Sequence, residues 1–174
     1  LVPNYICEII LKIFEEYEIS FSFYKINNDL SIDYSSLIGK HYDVIYVINY
    51  FGVNHSINEI IDPSKIIVED NVFSPLFYNK NNFPNWIGFN SFRKFSPLAD
   101  GSLIKSSLTL PKDKIRNKDP EFSNIKYTAK DMKYNFLKYH RYSEKEYLDL
   151  FRIAENKLDS QTWINNISSY SLFR

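Results

Sequence analysis

The chain has 174 residues and a mass of 20.7 kDa, enough for one ordinary domain or for part of a longer protein. Lys+Arg and Asp+Glu both number 21, and a formal net charge of zero argues against a broad basic surface that would neutralise nucleic-acid phosphates. A single cysteine, Cys7, excludes an internal disulfide framework and a cysteine-based zinc cluster within one chain, and 4 glycines cannot assemble a glycine-rich dinucleotide loop.

Hydrophobic residues make up 44% and charged residues 24%, the balance of a globular protein. No apolar run approaches the roughly 18 residues of a membrane span, and no signal-like segment opens the chain. The expectation is a cytoplasmic protein that engages neither membrane nor nucleic acid. The chain opens on Leu1 rather than Met and runs directly into a helical pattern, which reads as a truncated start.

Pro3 followed by Ile6, Ile9, Ile10, Ile13, Phe14 and Tyr17 predicts a helix with proline in its first turn and Cys7 packed on it. Residues 21–26 alternate like a strand, and Ser31 to Leu37 suits a short helix. The run Asp43 to Gly52 is continuously rich in Val and Ile, as in a strand buried on both faces of a parallel sheet. A short helix is expected from His55 to Ile61, then a second buried strand at Lys65-Ile66-Ile67-Val68 that ends at Glu69-Asp70. Two such strands joined by about a dozen residues form a crossover unit. Residues 71–85 read as a loop, Trp86 to Ser91 and Ser102 to Lys105 as strands.

Beyond residue 110 the character changes. Pro111 to Asn124 reads as a charged linker, and helices are expected over Tyr127–Tyr139 and Ser143–Leu158, the second with a Ser143/Glu146 capping box. The fold class is therefore α/β, a mainly parallel sheet with flanking helices over residues 1–110 and a helical region over 111–174. The histidines His41, His55 and His140 have no metal-ligand spacing, and no metal is expected.

In parallel sheets ligands gather beyond the carboxyl ends of the strands. Two such ends carry Asn49-Tyr50-Phe51-Gly52 and Glu69-Asp70-Asn71, and a third segment reads Asn90-Ser91-Phe92-Arg93-Lys94. A strand-end carboxylate followed by a lysine among aromatics suits pyridoxal 5'-phosphate, which needs an amine for its Schiff base and a carboxylate opposite its pyridinium nitrogen. The bland readings are an Asp70 that caps a turn, a Ser91 that satisfies local backbone and a Lys94 that lies over rings at the surface.

Together with Asp100-Gly101-Ser102, these segments resemble the DegT/DnrJ/StrS sugar aminotransferases, a family of fold type I pyridoxal-phosphate enzymes. The resemblance covers the central part of the large domain, with residues 111–174 leading toward a small domain. It implies that Lys94 is the catalytic Schiff-base lysine, that Asp70 pairs with the ring nitrogen, and that Ser91 donates to the cofactor phosphate. Phe73 stands in the cofactor-binding position where the family often has glutamine, and the step from the Ser-Phe pair to the lysine is shorter than usual. The implied reaction moves an amino group from an amino-acid donor to a keto-sugar nucleotide in surface polysaccharide or amino-sugar synthesis, in a homodimer when complete. The alternatives are a cofactor-free structural or binding module and a sugar-nucleotide-binding α/β domain.

Overall fold

The computed structural model of the chain describes residues 1–54, 57, 61–79, 82–110, 120–161 and 165–172. Contacts divide it into two compact units, residues 1–90 with 104–110 and residues 91–103 with 111–174.

The first unit opens with β1 (Val2–Pro3), α1 (Glu8–Glu16) and β2 (Phe23–Tyr24), in which β1 pairs in parallel with β2. The helix expected from Pro3 thus begins only at Glu8. Val2 and Asn4 donate their N–H groups to Ser22 and Tyr24 (3.0 and 2.8 Å), so Pro3 falls at the alternate position, where its missing N–H costs the ladder nothing. Cys7, expected to pack, is instead exposed at the start of α1. The strand expected over 21–26 shrinks to two residues, and the helix expected over 31–37 to a single 3-10 turn at Tyr34–Leu37, capped by Asp33.

The frame of this unit is a four-stranded sheet. Its strands β3 (Val44–Ile48), β4 (Ile66–Asn71), β5 (Trp86–Asn90) and β6 (Ile104–Ser106) lie in that order, with the first three parallel and β6 antiparallel to β5. One face carries Ile45, Val47, Ile67 and Trp86, which pack with Tyr24, Ile57, Ile61 and Phe83 as the core. Each such side chain taken fully from water contributes about 1.5–3 kcal/mol. Gly88 on β5 is required there, because a Cβ would lie 2.3 Å from the Trp86 ring and 2.7 Å from that of Phe77.

Strand β4 runs through Glu69 and Asp70, its expected end, and one residue further to Asn71, since ladders on both sides hold Asp70 between Ile48 and Phe89 and a ladder to β5 sets Asn71 beside Asn90. The helix expected from His55 to Ile61 falls mostly outside the described residues. Ile57 and Ile61 are described, both buried, with the Ile61 N–H donated to the Ile57 carbonyl (3.2 Å).

The second unit holds α2 (Phe92–Phe95), α3 (Glu121–Tyr139), α4 (Glu144–Asp159) and α5 (Ser169–Leu172). Residues 121–124, expected to close a linker, are the first turn of α3, with Phe122 and Ser123 buried; residues 111–119 lie outside the described set. Helix α3 ends where His140 turns left-handed (φ 53°), and α4 starts with the expected capping box of Ser143 and Glu146. The two helices pack through Ala129, Ala154 and the tilted Phe136–Tyr147 ring pair. The protein is a mixed α/β chain. Among the described residues no helix is long and apolar enough to cross a membrane, and no group of three or more His, Cys, Asp or Glu is placed to hold a metal.

Candidate functional site

Alternation along β4 sends its two adjacent carboxylates to opposite faces of the sheet. Glu69 goes to the core face and is fully buried. Its Oε1 accepts from Asn49 Nδ2 (2.8 Å), Tyr78 N (3.1 Å) and Asn79 Nδ2 (3.2 Å), and its Oε2 from Asn79 N (3.2 Å) and Trp86 Nε1 (2.8 Å). Five neutral donors replace the water this carboxylate has lost. Glu69 is therefore a structural hub, tying β3, β4, β5 and the loop after β4 together.

Asp70 goes to the other face and is 6% exposed. Its Oδ1 accepts from the Val72 N–H (3.0 Å), the turn-capping bond of the bland reading, while Oδ2 accepts from the Tyr46 hydroxyl on β3 (2.6 Å). Burial pushes the Asp70 carboxyl above its ordinary range, although both hydrogen bonds oppose that shift. Burial and the adjacent carboxylate together raise the Tyr46 phenol well above its ordinary value, so it stays protonated and donating. Tyr46 is held by an edge contact from Phe14 and a tilted one from Phe89, and its carbonyl accepts from Tyr24 (2.9 Å). Asp70 is thus a fixed, buried carboxylate at the carboxyl end of a central parallel strand.

The neighbouring strand end is also shaped. After β3 the chain turns through Phe51, whose φ of 53° is unusual for a large side chain, and Gly52 at φ 78°. Phe51, 71% exposed, stacks on Phe73 with ring centroids 5.8 Å apart and planes 27° from parallel. Tyr78 braces this turn by donating its hydroxyl to the Gly52 carbonyl (2.7 Å). Asn49, buried at the same strand end, donates to Glu69 and Asn71 and leaves its own Oδ1 without a donor among the described residues.

In the second unit, Ser91 is the residue before α2 and Lys94 lies within it. The Ser91 side chain makes no capping bond to the helix, whereas its carbonyl accepts from the Lys94 N–H (3.0 Å). Lys94 is exposed. The loop that carries it is closed by the Phe92 N–H bonded to the Gly101 carbonyl (3.0 Å). Gly101 has φ 95°, and a Cβ there would lie 2.5 Å from Ile167. Asp100 anchors the same loop, buried and accepting from Ser123 Oγ (2.6 Å), Ser168 N (3.0 Å) and Ser168 Oγ (2.9 Å). Lys130 donates to the Leu98 and Ser96 carbonyls, beside a cleft of about 330 Å³ lined by residues including Tyr127 and Tyr134.

Asp70 and Phe73 therefore belong to the strand ends of the first unit, and Ser91 and Lys94 to one turn of the second. Sequence reasoning passed over Glu69, although strict alternation in β4 was the signal that it faces opposite to Asp70. It also gave no role to Tyr46, which looks like one more apolar residue in a Val-Ile run. Comparison with protein-family models, with curated proteins and with solved structures finds no match for this chain.

Proposed function

We propose that the chain is the central part of the large domain of a pyridoxal-phosphate-dependent aminotransferase that acts on a keto-sugar nucleotide. The observation that carries this reading is Asp70. It is a buried carboxylate whose hydrogen-bond partners among the described residues, a phenol and a backbone amide, are both neutral. Such a group is poorly stabilised as an anion, and a protonated ring nitrogen would supply the missing positive charge and a charge-assisted bond. The residues present fit the cofactor on that count. When bound, pyridoxal phosphate supplies an electron sink for a substrate carbanion.

The roles of this chain's own groups follow. Asp70 keeps the proton on the ring nitrogen, and Tyr46 holds the carboxylate in place. Lys94 would hold the cofactor through its amine and, once displaced from it by the incoming amine of the substrate, its freed Nζ would be the group that moves the proton at the substrate carbon. Ser91, uncommitted to a helix cap, donates its hydroxyl to the cofactor phosphate. An amino-acid donor, a sugar nucleotide and a homodimeric whole protein complete the reading. Phe73 favours a second one: it engages Phe51 and offers no polar group to a cofactor, as suits a binding module without chemistry.

Borohydride reduction in the presence of pyridoxal phosphate, followed by peptide mapping, separates the two. The aminotransferase reading expects a pyridoxyl group on Lys94. A label on Lys105, which sits over the Phe77 ring, or no specific label at all, rejects it.

A further inference from the structure

We infer that the second unit contains an oxyanion-binding site formed by Arg93 and Lys126, with Lys130 adding charge and Glu155 occupying part of it. The proposal rests on the geometry of this unit and stands or falls apart from the aminotransferase reading.

Three cations come from two elements. Arg93 lies on α2, while Lys126 and Lys130 stand one turn apart on the same side of α3. Among the described residues one carboxylate, Glu155 on α4, pairs with two of them: Lys126 Nζ donates to its Oε1, and Arg93 Nη1 stands 3.8 Å from its Oε2. That separation is an ion pair but too long for a hydrogen bond. Arg93 Nη1 is buried and has no acceptor among the described residues. Among the described residues Lys130 donates to uncharged carbonyls, which do not neutralise its charge.

The excess is felt within the cluster. Burial, with contributions from Arg93 and Lys94, holds Lys126 below the usual lysine range, and burial, with the charges of Lys126 and Arg93, does the same to Lys130. Asp100, a buried carboxylate of the same unit, is occupied by Ser123 and Ser168. A guanidinium fork beside a buried ammonium is the arrangement that takes a phosphate or carboxylate by paired charge-assisted hydrogen bonds. An incoming oxyanion would accept from Arg93 Nη1, share Lys126 and displace Glu155 toward solvent, to which that half-exposed side chain already has access.

This assigns Glu155 an unusual sign. Removing a carboxylate from an ordinary structural ion network weakens whatever the network does, whereas here it should vacate the site. The test is calorimetric titration of the protein with inorganic phosphate and, separately, with glutamate, at fixed ionic strength. Arg93→Gln should weaken oxyanion binding by about tenfold, the loss of one charge-assisted bond, and Glu155→Gln should strengthen it by a similar factor. Preference for inorganic phosphate would mark the ligand as a phosphate ester, and preference for glutamate as a carboxylate. Glu155→Gln also guards against misfolding, because a gain in affinity cannot come from a damaged protein. Equal affinity in all three proteins, or a loss in Glu155→Gln with its helix content intact, overturns the site.

Discussion

Asp70 shows how much one side chain can be asked to do. In the folded chain burial keeps its proton to a higher pH than in the unfolded chain. Its contribution to stability is therefore full below the ordinary carboxylate range and declines as the pH rises through the raised folded value. The variant Asp70→Asn lacks this titration. Urea midpoints should show the native protein losing ground to Asp70→Asn as the pH rises upward from the ordinary carboxylate range; the opposite trend would falsify the burial argument. In an active enzyme the same variant should lose most of its transamination rate, a gain in relative stability paired with a loss of function. Tyr46→Phe tests the positioning bond and should cost about 1–3 kcal/mol, because a buried carboxylate oxygen is left without its donor. Glu69 is the larger liability. Glu69→Ala removes the acceptor of the Trp86 indole, of one Asn49 amide hydrogen and of two backbone N–H groups, so a loss of more than about 3 kcal/mol is expected from thermal unfolding.

At the level of elements, what could be read from the residues was whatever local pattern determines. The Val-Ile runs located β3 and β4, and Ser143 with Glu146 located the start of α4, because strand burial and capping are decided within a few residues. Pro3 shows the converse: its neighbours repeat at helical spacing, yet a two-residue pairing with Tyr24, distant in sequence, decides its conformation. The first turn of α3 was hidden for a related reason. Its charged residues read as a linker, and its Ser123 is held by Asp100, an acid 23 positions earlier. The cation cluster was illegible too, since Arg93 and Glu155 lie on helices far apart in sequence. The capping box gives a clean local test. Ser143→Ala should lower stability by about 1 kcal/mol and fray the start of α4, visible as faster hydrogen exchange at Glu146 and Tyr147.

For the molecule as a whole, the balance of charge has a solution consequence. With 21 charges of each sign and an isoelectric point near 7.0, electrostatic self-repulsion is weakest at neutral pH. Several apolar side chains stay exposed, including Ile9, Ile13 and Phe23 in the first unit and Leu137 and Leu148 in the second. Light scattering should find self-association greatest near pH 7 and relieved on either side; a monomer throughout rejects this account.

The opposed faces of Glu69 and Asp70 carry one more implication, for how the chain finds its pairing. A parallel strand made of Ile, Val and Ile could slide by one residue between its neighbours at little cost in apolar contact, yet such a slip exchanges its two faces. Here the exchange would drive Asp70 toward the indole and amide donors, which its shorter side chain cannot span, and would thrust Glu69 against the Tyr46 hydroxyl. The acid pair acts as a key cut for one alignment. Misaligned sheets are rejected by their unsolvated charge, and the hydrophobic strands around the pair are spared the burden of specifying where they begin.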